Sequence, residues 1–333
     1  MVFRLVAQLV LATSLLQMFP PDTALIEMAA TLPEAGERVQ TAAVFEAMDL
    51  LGRDFPESKD AALEPVKLDP NSIGVVTSAV SATVVDRATG KILFEKNSAE
   101  PRSIGSLVKL MTALVFLDGN PDLAARASLQ SEDLRSGATQ HIQVADEITI
   151  RDLLHASLIG SDNSATAALV RLSGLSLGDF VARMNEKAAA LGMQNTTFVD
   201  STGLSSENRS VVHDIVKLID WAMANEIIRT ATQLPAAVFT GSSGRAYYIA
   251  STDELLGSFL NQDPYKIVGG KTGFLPEAGY CFGSLISENN VHEIIVVVLG
   301  SYTKDGRFQD AKALAAWTFK TFDWPDELAS QEL

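Results

Sequence analysis

Cysteine is nearly absent: Cys281 stands alone in 333 residues, which excludes an internal disulfide and a thiolate metal cluster. Histidine is almost as scarce, and positions 141, 155, 213 and 292 show no close metal-ligand spacing, so no metal is expected. No run of lysine and arginine occurs and the formal net charge is -15. The chain therefore lacks the basic surface that a nucleic-acid backbone requires, and no nucleic-acid partner is expected. There is no internal repeat. Residues 5–19, behind Arg4, form an apolar run shorter than the roughly 20 residues of a membrane span, a length that suits the hydrophobic part of a signal peptide. The weak basic flank, and the want of a small-x-small cleavage site before Pro20-Pro21, keep a retained membrane anchor open. Either reading implies export; an ordinary cytoplasmic N-terminal helix is the alternative.

What the chain does have is length and apolar content. With 47% hydrophobic residues it can bury a large core and form two lobes. Residues 20–74 read as a linker or irregular arm, with short helix candidates at 24–32 and 42–51 ahead of Pro56, Pro65 and Pro70. Regular patterning begins at residue 79. Val80, Thr83, Val84 and Val85 mark a strand over 79–85, residues 86–90 hold a turn, and 91–95 complete a hairpin. A helix over 105–119 follows, with Leu107, Leu110, Met111, Leu114 and Leu117 at three- and four-residue steps. Residues 122–230 are mostly helical, with helices at 151–158, 163–172, 176–191 and 211–225; Ser176 with Asp179 reads as a capping box. Strands return at 265–271, 279–287 and 291–299, with Asn289-Asn290 as the last turn, and a helix over 307–322 precedes the tail at 326–333. Two early strands and three late ones predict an α/β fold: a five-stranded antiparallel sheet flanked by helices, with an inserted all-helical lobe at 122–230. The main domain is expected over 75–325, with the site in the groove between its lobes.

Three short motifs carry chemistry. Ser106 and Lys109 lie three apart, so one helical turn puts them on a common face, where a lysine amine can act as general base to a serine nucleophile. Alone, such a pair is more often a helix start and a solvated lysine. Ser161-Asp162-Asn163 falls between two helices, where a turn aims Ser161 and Asn163 into one groove; alone it is an ordinary helix cap. Lys271-Thr272-Gly273 ends the first late strand, where Gly269, Gly270 and Gly273 admit a second backbone; alone it is a strand end and turn. In this order, with a helical lobe between, the three form the signature of serine β-lactamases and penicillin-binding proteins.

More narrowly, residues 75–320 resemble the low-molecular-mass penicillin-binding proteins, the serine D-alanyl-D-alanine carboxypeptidase and endopeptidase family. The likeness extends to Thr89-Gly90-Lys91-Ile92-Leu93-Phe94-Glu95-Lys96-Asn97, Leu191-Gly192-Met193, Asp200 to Leu204, and Glu277-Ala278-Gly279-Tyr280. The resemblance implies an exported hydrolase that needs no cofactor, cuts peptidoglycan stem peptides in the periplasm or another extracytoplasmic space, and is acylated by β-lactam antibiotics. It implies that Ser106 attacks the penultimate D-alanine carbonyl while Lys109 takes the hydroxyl proton. Ser161 would relay a proton to the leaving amine, and Asn163 would hold the substrate amide. Lys271 and Thr272 would receive the substrate carboxylate, with the substrate laid along the strand through Gly273. Backbone N–H groups of Ser106 and Phe274 would hold the oxyanion.

Ile104, Gly105, Leu107 and Val108 depart from the proline, small and hydroxyl residues usual around the nucleophile, and residues 207–214 depart from the usual groove wall. The principal activity expected is D-alanyl-D-alanine carboxypeptidase. The alternatives are a D,D-endopeptidase on cross-links, a class A β-lactamase and a catalytically weak penicillin-binding domain. The lactamase would need a Glu-x-x-Leu-Asn element, and none occurs between Ser161 and Lys271.

Overall fold

The computed structural model describes residues 63–325. The expectations for residues 1–19, 20–62 and 326–333 lie outside the described residues.

One sheet organises the domain. Its strands are β1 (Ser81–Asp86), β2 (Ile92–Lys96), β3 (Tyr265–Leu275), β4 (Gly279–Glu288) and β5 (His292–Ser301). They lie in the order β3-β4-β5-β1-β2, and every pair is antiparallel. The expected five-stranded antiparallel sheet is therefore present. The apolar run on β5 explains its central place, because both faces are covered. Ile294, Val296 and Val298 pack towards the closing helix, while Ile295, Val297 and Leu299 pack towards the helical lobe. That alternation is the two-residue period of a strand, and each such side chain contributes roughly 1.5–3 kcal/mol of burial. The β4–β5 turn uses Asn289 and Asn290 at φ 55° and 57°, a left-handed conformation that asparagine tolerates.

The helices are α1 (Val108–Asp118), α2 (Ile150–Leu158), α3 (Asn163–Leu172), α4 (Leu177–Ala190), α5 (Val212–Ala224), α6 (Glu226–Thr232) and α7 (Lys304–Thr321). α1 begins after a 3-10 turn, Gly105–Leu107, and is apolar almost all round because the lobe and the sheet enclose it. α4 is capped by Ser176, whose hydroxyl accepts from Asp179 N at 3.1 Å; the Asp179 carboxylate accepts from that hydroxyl at 2.7 Å and not from the backbone N–H of a capping box. α7 covers the other face of the sheet. Residues 66–67 pair with 322–323, and Trp317 Nε1 donates to Ser72 Oγ at 2.9 Å, so residues 63–78 lie along this helix.

Two boundaries and two elements differ from the sequence reading. β3 runs on to Leu275, so Lys271-Thr272-Gly273 sits inside an edge strand and not at its end. Its glycines look like breakers, yet pairing with β4 continues through all of them. α7 starts at Lys304, capped by Thr303 Oγ1 accepting from Gly306 N at 2.9 Å; the glycine in its first turn masks the periodicity. α6 and a two-stranded ribbon, Ala236–Thr240 with Ala246–Ala250, were not anticipated. The ribbon matters because it leads straight into residues 251–264, which reach the site. Among the described residues, no single helix is long and apolar enough to cross a membrane.

Candidate active site

The 3-10 turn places Ser106 against the free edge of β3. Gly105 takes φ +52°, and a Cβ built on it would lie 2.7 Å from Phe274 N. A Cβ on Gly273 would lie 3.3 Å from Ser106 N, and one on Gly203 (φ +85°) would lie 2.9 Å from Ser106 N and collide with Gly105 O. Three glycines from three segments thus let the backbones of 105–106, 203 and 273–274 close on one another. Ile104, Leu107 and Val108, the departures around the nucleophile, are fully buried in the core and point away from the chemistry. The departing stretch at 207–214 buttresses the same turn, since Arg209–Ser210 pairs with Arg102–Ser103 just ahead of Ser106.

Gly203→Ala is therefore expected to destabilise the domain by more than about 2 kcal/mol, since it adds a backbone clash to a left-handed φ. A thermal melt reads this directly. A melting temperature equal to the parent's would show that the packing is looser than these distances imply.

Lys109 is not solvated. It is fully buried, and its Nζ makes three contacts: Ser106 Oγ at 2.9 Å, Asn163 Oδ1 at 2.7 Å and Thr202 O at 2.5 Å. Two of those partners can only accept. They take two N–H bonds, which turns the third position of the nitrogen towards the serine hydroxyl. Burial pulls the amine down from 10.5 to about 7, against the opposing pull of Asp200 and Asp162, so a large neutral fraction exists at neutral pH.

Both acceptors are fixed from behind. Asn163 Nδ2 donates to Ser136 O at 2.9 Å, which orients Oδ1 towards Lys109. Asp162 caps α3, its Oδ1 accepting from Ser164 N and Ala165 N at 2.8 and 3.0 Å, and its Oδ2 holds His141 N at 2.7 Å. The motif is thus a cap and a site at once. Asp200 does the same for Thr202. Its oxygens accept from the N–H groups of Thr202, Gly203 and Ser205 and from Asn208 Nδ2, at 2.6–2.8 Å. Burial alone would raise this carboxyl, but those donors hold it below its ordinary value.

Ser161 adopts φ +58°, a left-handed value unusual for serine, and its Oγ sits 3.0 Å from Lys271 Nζ. Lys271 is buried and also donates to Thr272 O at 3.2 Å. Burial, then repulsion from Lys109 and Arg307, pushes its amine well below 10.5, with Asp253 opposing. Thr272 Oγ1 lies 2.7 Å from Thr252 Oγ1, and Arg307 Nη1 donates to Gly273 O at 3.2 Å. Phe274 projects to the surface and stacks on Tyr280 with ring centroids 4.4 Å apart.

All eight expected positions therefore converge: the Ser106 turn joins Ser161 and Asn163 of the lobe to residues 271–274 of β3. The sequence reading assigned no part to Thr202, Thr252, Asp253 or Arg307. The first acts through its backbone carbonyl, which no residue type reveals, and the others arrive from residues 251–264 and α7. The lone Cys281 is buried behind Gly273, and burial raises its thiol to about 11, which leaves it inert.

A serine activated by a buried lysine, beside a second serine–lysine pair, is the arrangement of an acyl-transfer enzyme. The model of a family described as D-alanyl-D-alanine carboxypeptidase matches residues 70–303. The chain belongs to this family. Among its relatives is a D-alanyl-D-alanine endopeptidase of Pseudomonas aeruginosa, 32% identical over 243 residues, which are 71% of this chain and 76% of that protein. The D-alanyl-D-alanine carboxypeptidase DacF of Bacillus subtilis is 28% identical over 242 residues, 71% of this chain and 61% of that one. Among solved structures, the Streptomyces K15 DD-transpeptidase superposes with a TM-score of 0.69 at 28% identity, covering 74% of this chain and 99% of that one. Penicillin-binding protein D2 of Listeria monocytogenes, in its cefotaxime-bound form, gives 0.64 at 30% identity, with the same coverage. As a D-alanyl-D-alanine carboxypeptidase family member, the chain is a serine-type hydrolase that acts on peptidoglycan D,D-peptides through an acyl-enzyme.

Proposed function

We propose that the chain is a serine D-alanyl-D-alanine carboxypeptidase that works outside the cytoplasm, with Ser106 as the acylated residue. The observation that carries this reading is the Lys109 nitrogen, buried and held by Asn163 Oδ1 and Thr202 O so that its lone pair faces Ser106 Oγ. Neutral Lys109 takes the hydroxyl proton as Ser106 Oγ attacks the penultimate D-alanine carbonyl. The oxyanion falls between the N–H groups of Ser106 and Phe274, brought together by the glycines at 105, 203 and 273. Collapse expels the terminal D-alanine, whose amine receives a proton through Ser161. Water then attacks the ester with the same base, which frees Ser106. Asn163 holds the substrate amide, while Lys271 and Thr272 receive the terminal carboxylate beside Gly273. Because the base must be neutral, activity falls as pH drops through about 7.

β-Lactams enter the same path, the ring amide standing for the peptide bond. The class A lactamase reading gains nothing here. Glu186, Glu207, Glu226 and Glu254 are exposed, and none hydrogen-bonds Ser106, Lys109 or Asn163.

A second reading has a specific observation in its favour. The endopeptidases of Pseudomonas aeruginosa and Haemophilus influenzae, at 32% and 35% identity, exceed the 28% of the DacF carboxypeptidase. Cleavage of a cross-link uses the same acyl donor with a longer leaving amine. Incubation with an uncrosslinked pentapeptide stem and with a crosslinked dimer, with products read by mass, separates the two. Release of D-alanine from the pentapeptide is the expected result; dimer cleavage without D-alanine release replaces the carboxypeptidase with the endopeptidase.

A further inference from the structure

We propose that Asp253 is a positioning residue for the reaction: as the buried counter-charge to Lys271 and Arg307, it keeps Lys271 protonated for capture of the substrate carboxylate. The inference rests on the acyl-enzyme reading above.

Asp253 lies between the surface ribbon and β3, immediately after Thr252, whose hydroxyl touches Thr272. Its side chain is buried at 6% exposure. Oδ1 accepts from Leu255 N at 2.9 Å, which starts a short 3-10 turn, while Oδ2 has no protein hydrogen-bond partner. A carboxylate so placed is costly unless cations face it. The groups acting on it are Lys271 from β3, Arg307 from α7 and, on its own element, Glu254, which pairs with Lys304 at 2.7 Å. Arg307 likewise keeps a buried Nε without a partner; burial lowers its guanidinium, against the pull of Glu254 and Asp253, and its neighbours include Cys281 and the Tyr280 ring.

Lys271 is the member of this set whose charge is hardest to keep. Burial, Arg307 and, while it is protonated, Lys109 drive off its proton, and Asp253 opposes them. Burial raises Asp253 itself only to about 6, so it is ionised at neutral pH. Lys271 and Arg307 with Asp253 leave one net positive charge, which a single substrate carboxylate complements. The working window follows. Lys109 must have lost its proton while Lys271 retains its own, and Asp253 holds the upper edge of that window open.

The test is the pH dependence of acylation by a fluorescent penicillin, and of pentapeptide cleavage, in the full chain and in Asp253→Asn and Asp253→Glu. Asn keeps the acceptor for Leu255 N and loses the charge. The expected result is an alkaline limb moved to lower pH by about one pH unit in Asp253→Asn, with the acid limb unchanged and the limb restored in Asp253→Glu. A C-terminally amidated peptide should show no such movement. An unmoved alkaline limb in a folded Asp253→Asn chain overturns the proposal. The Asp253 carboxyl can also be titrated by 13C NMR without altering it. Saturating N-acyl-D-alanine should raise its midpoint, and an unmoved midpoint is equally fatal. Penicillin labelling without peptide release would sink the peptidase reading, while the limb shift would still decide the role of Asp253.

Discussion

Ser106→Ala is expected to lower peptide turnover by about 10^4-fold or more and to abolish the covalent penicillin adduct. The neighbouring hydroxyls are already committed. Ser161 Oγ is engaged with Lys271, and Thr112 Oγ1, one turn along α1, donates to Ser201 O at 2.6 Å. The loss in stability should be small, about 1 kcal/mol, because Ser106 contributes one hydrogen bond and Lys109 keeps Asn163 and Thr202 as partners. That contrast gives the experiment its force, since a melt near the parent's excludes misfolding as the cause. Intact-mass measurement after incubation with penicillin is the readout. An adduct of full mass in the alanine chain would place the nucleophile elsewhere.

The parts of the fold and site that could be read in advance share a property: each follows from residue type at fixed spacing. The uninterrupted apolar run Ile294–Val298 announces a central strand because both of its faces are buried. The order of the three motifs identifies the site because nucleophile, relay and carboxylate groups are side chains with distinctive chemistry. What stayed hidden is carried by backbone and by charge at a distance. Thr202 acts through a carbonyl that every residue possesses, and its position depends on Asp200 folding a loop around its own carboxylate. Gly269, Gly270 and Gly273 read as the end of a strand, yet they continue it: Gly270 and Gly273 admit the backbones of Gly283 and Ile104, and Gly269 leaves room for Met223 and Thr232. Asp253 and Arg307 sit 18 and 36 residues from Lys271 in the chain, and only the packing of α7 against the sheet makes them neighbours in charge.

Lys109→Met should separate the two roles that its burial combines. Acylation is expected to fall by about 10^3- to 10^4-fold, the usual worth of a positioned general base. Stability should change in a pH-dependent way whose sign is fixed by the lowered amine. In the folded chain Lys109 loses its proton near 7, against 10.5 in a solvated lysine. Between those values the unfolded chain carries a proton that the native one lacks, so Lys109 makes stability rise with pH, by at most about 1.4 kcal/mol per pH unit. Over that interval the total is about 5 kcal/mol, present above 10.5 and lost as pH falls to 7. Methionine fills the space without a charge and removes this slope, but it leaves Asn163 Oδ1 and Thr202 O without their donor, at about 1–3 kcal/mol each. The two effects offset near neutral pH and part company in alkali, where the parent should be the more stable by several kcal/mol. Lys271 contributes a slope of the same sign to both chains, and a smaller one in the variant, where repulsion from Lys109 is gone, so it adds to the divergence. Urea melts of parent and variant at neutral and alkaline pH would show this divergence. Parallel curves would mean that Lys109 enters the fold already solvated, and near-normal acylation of the variant would remove it as the base.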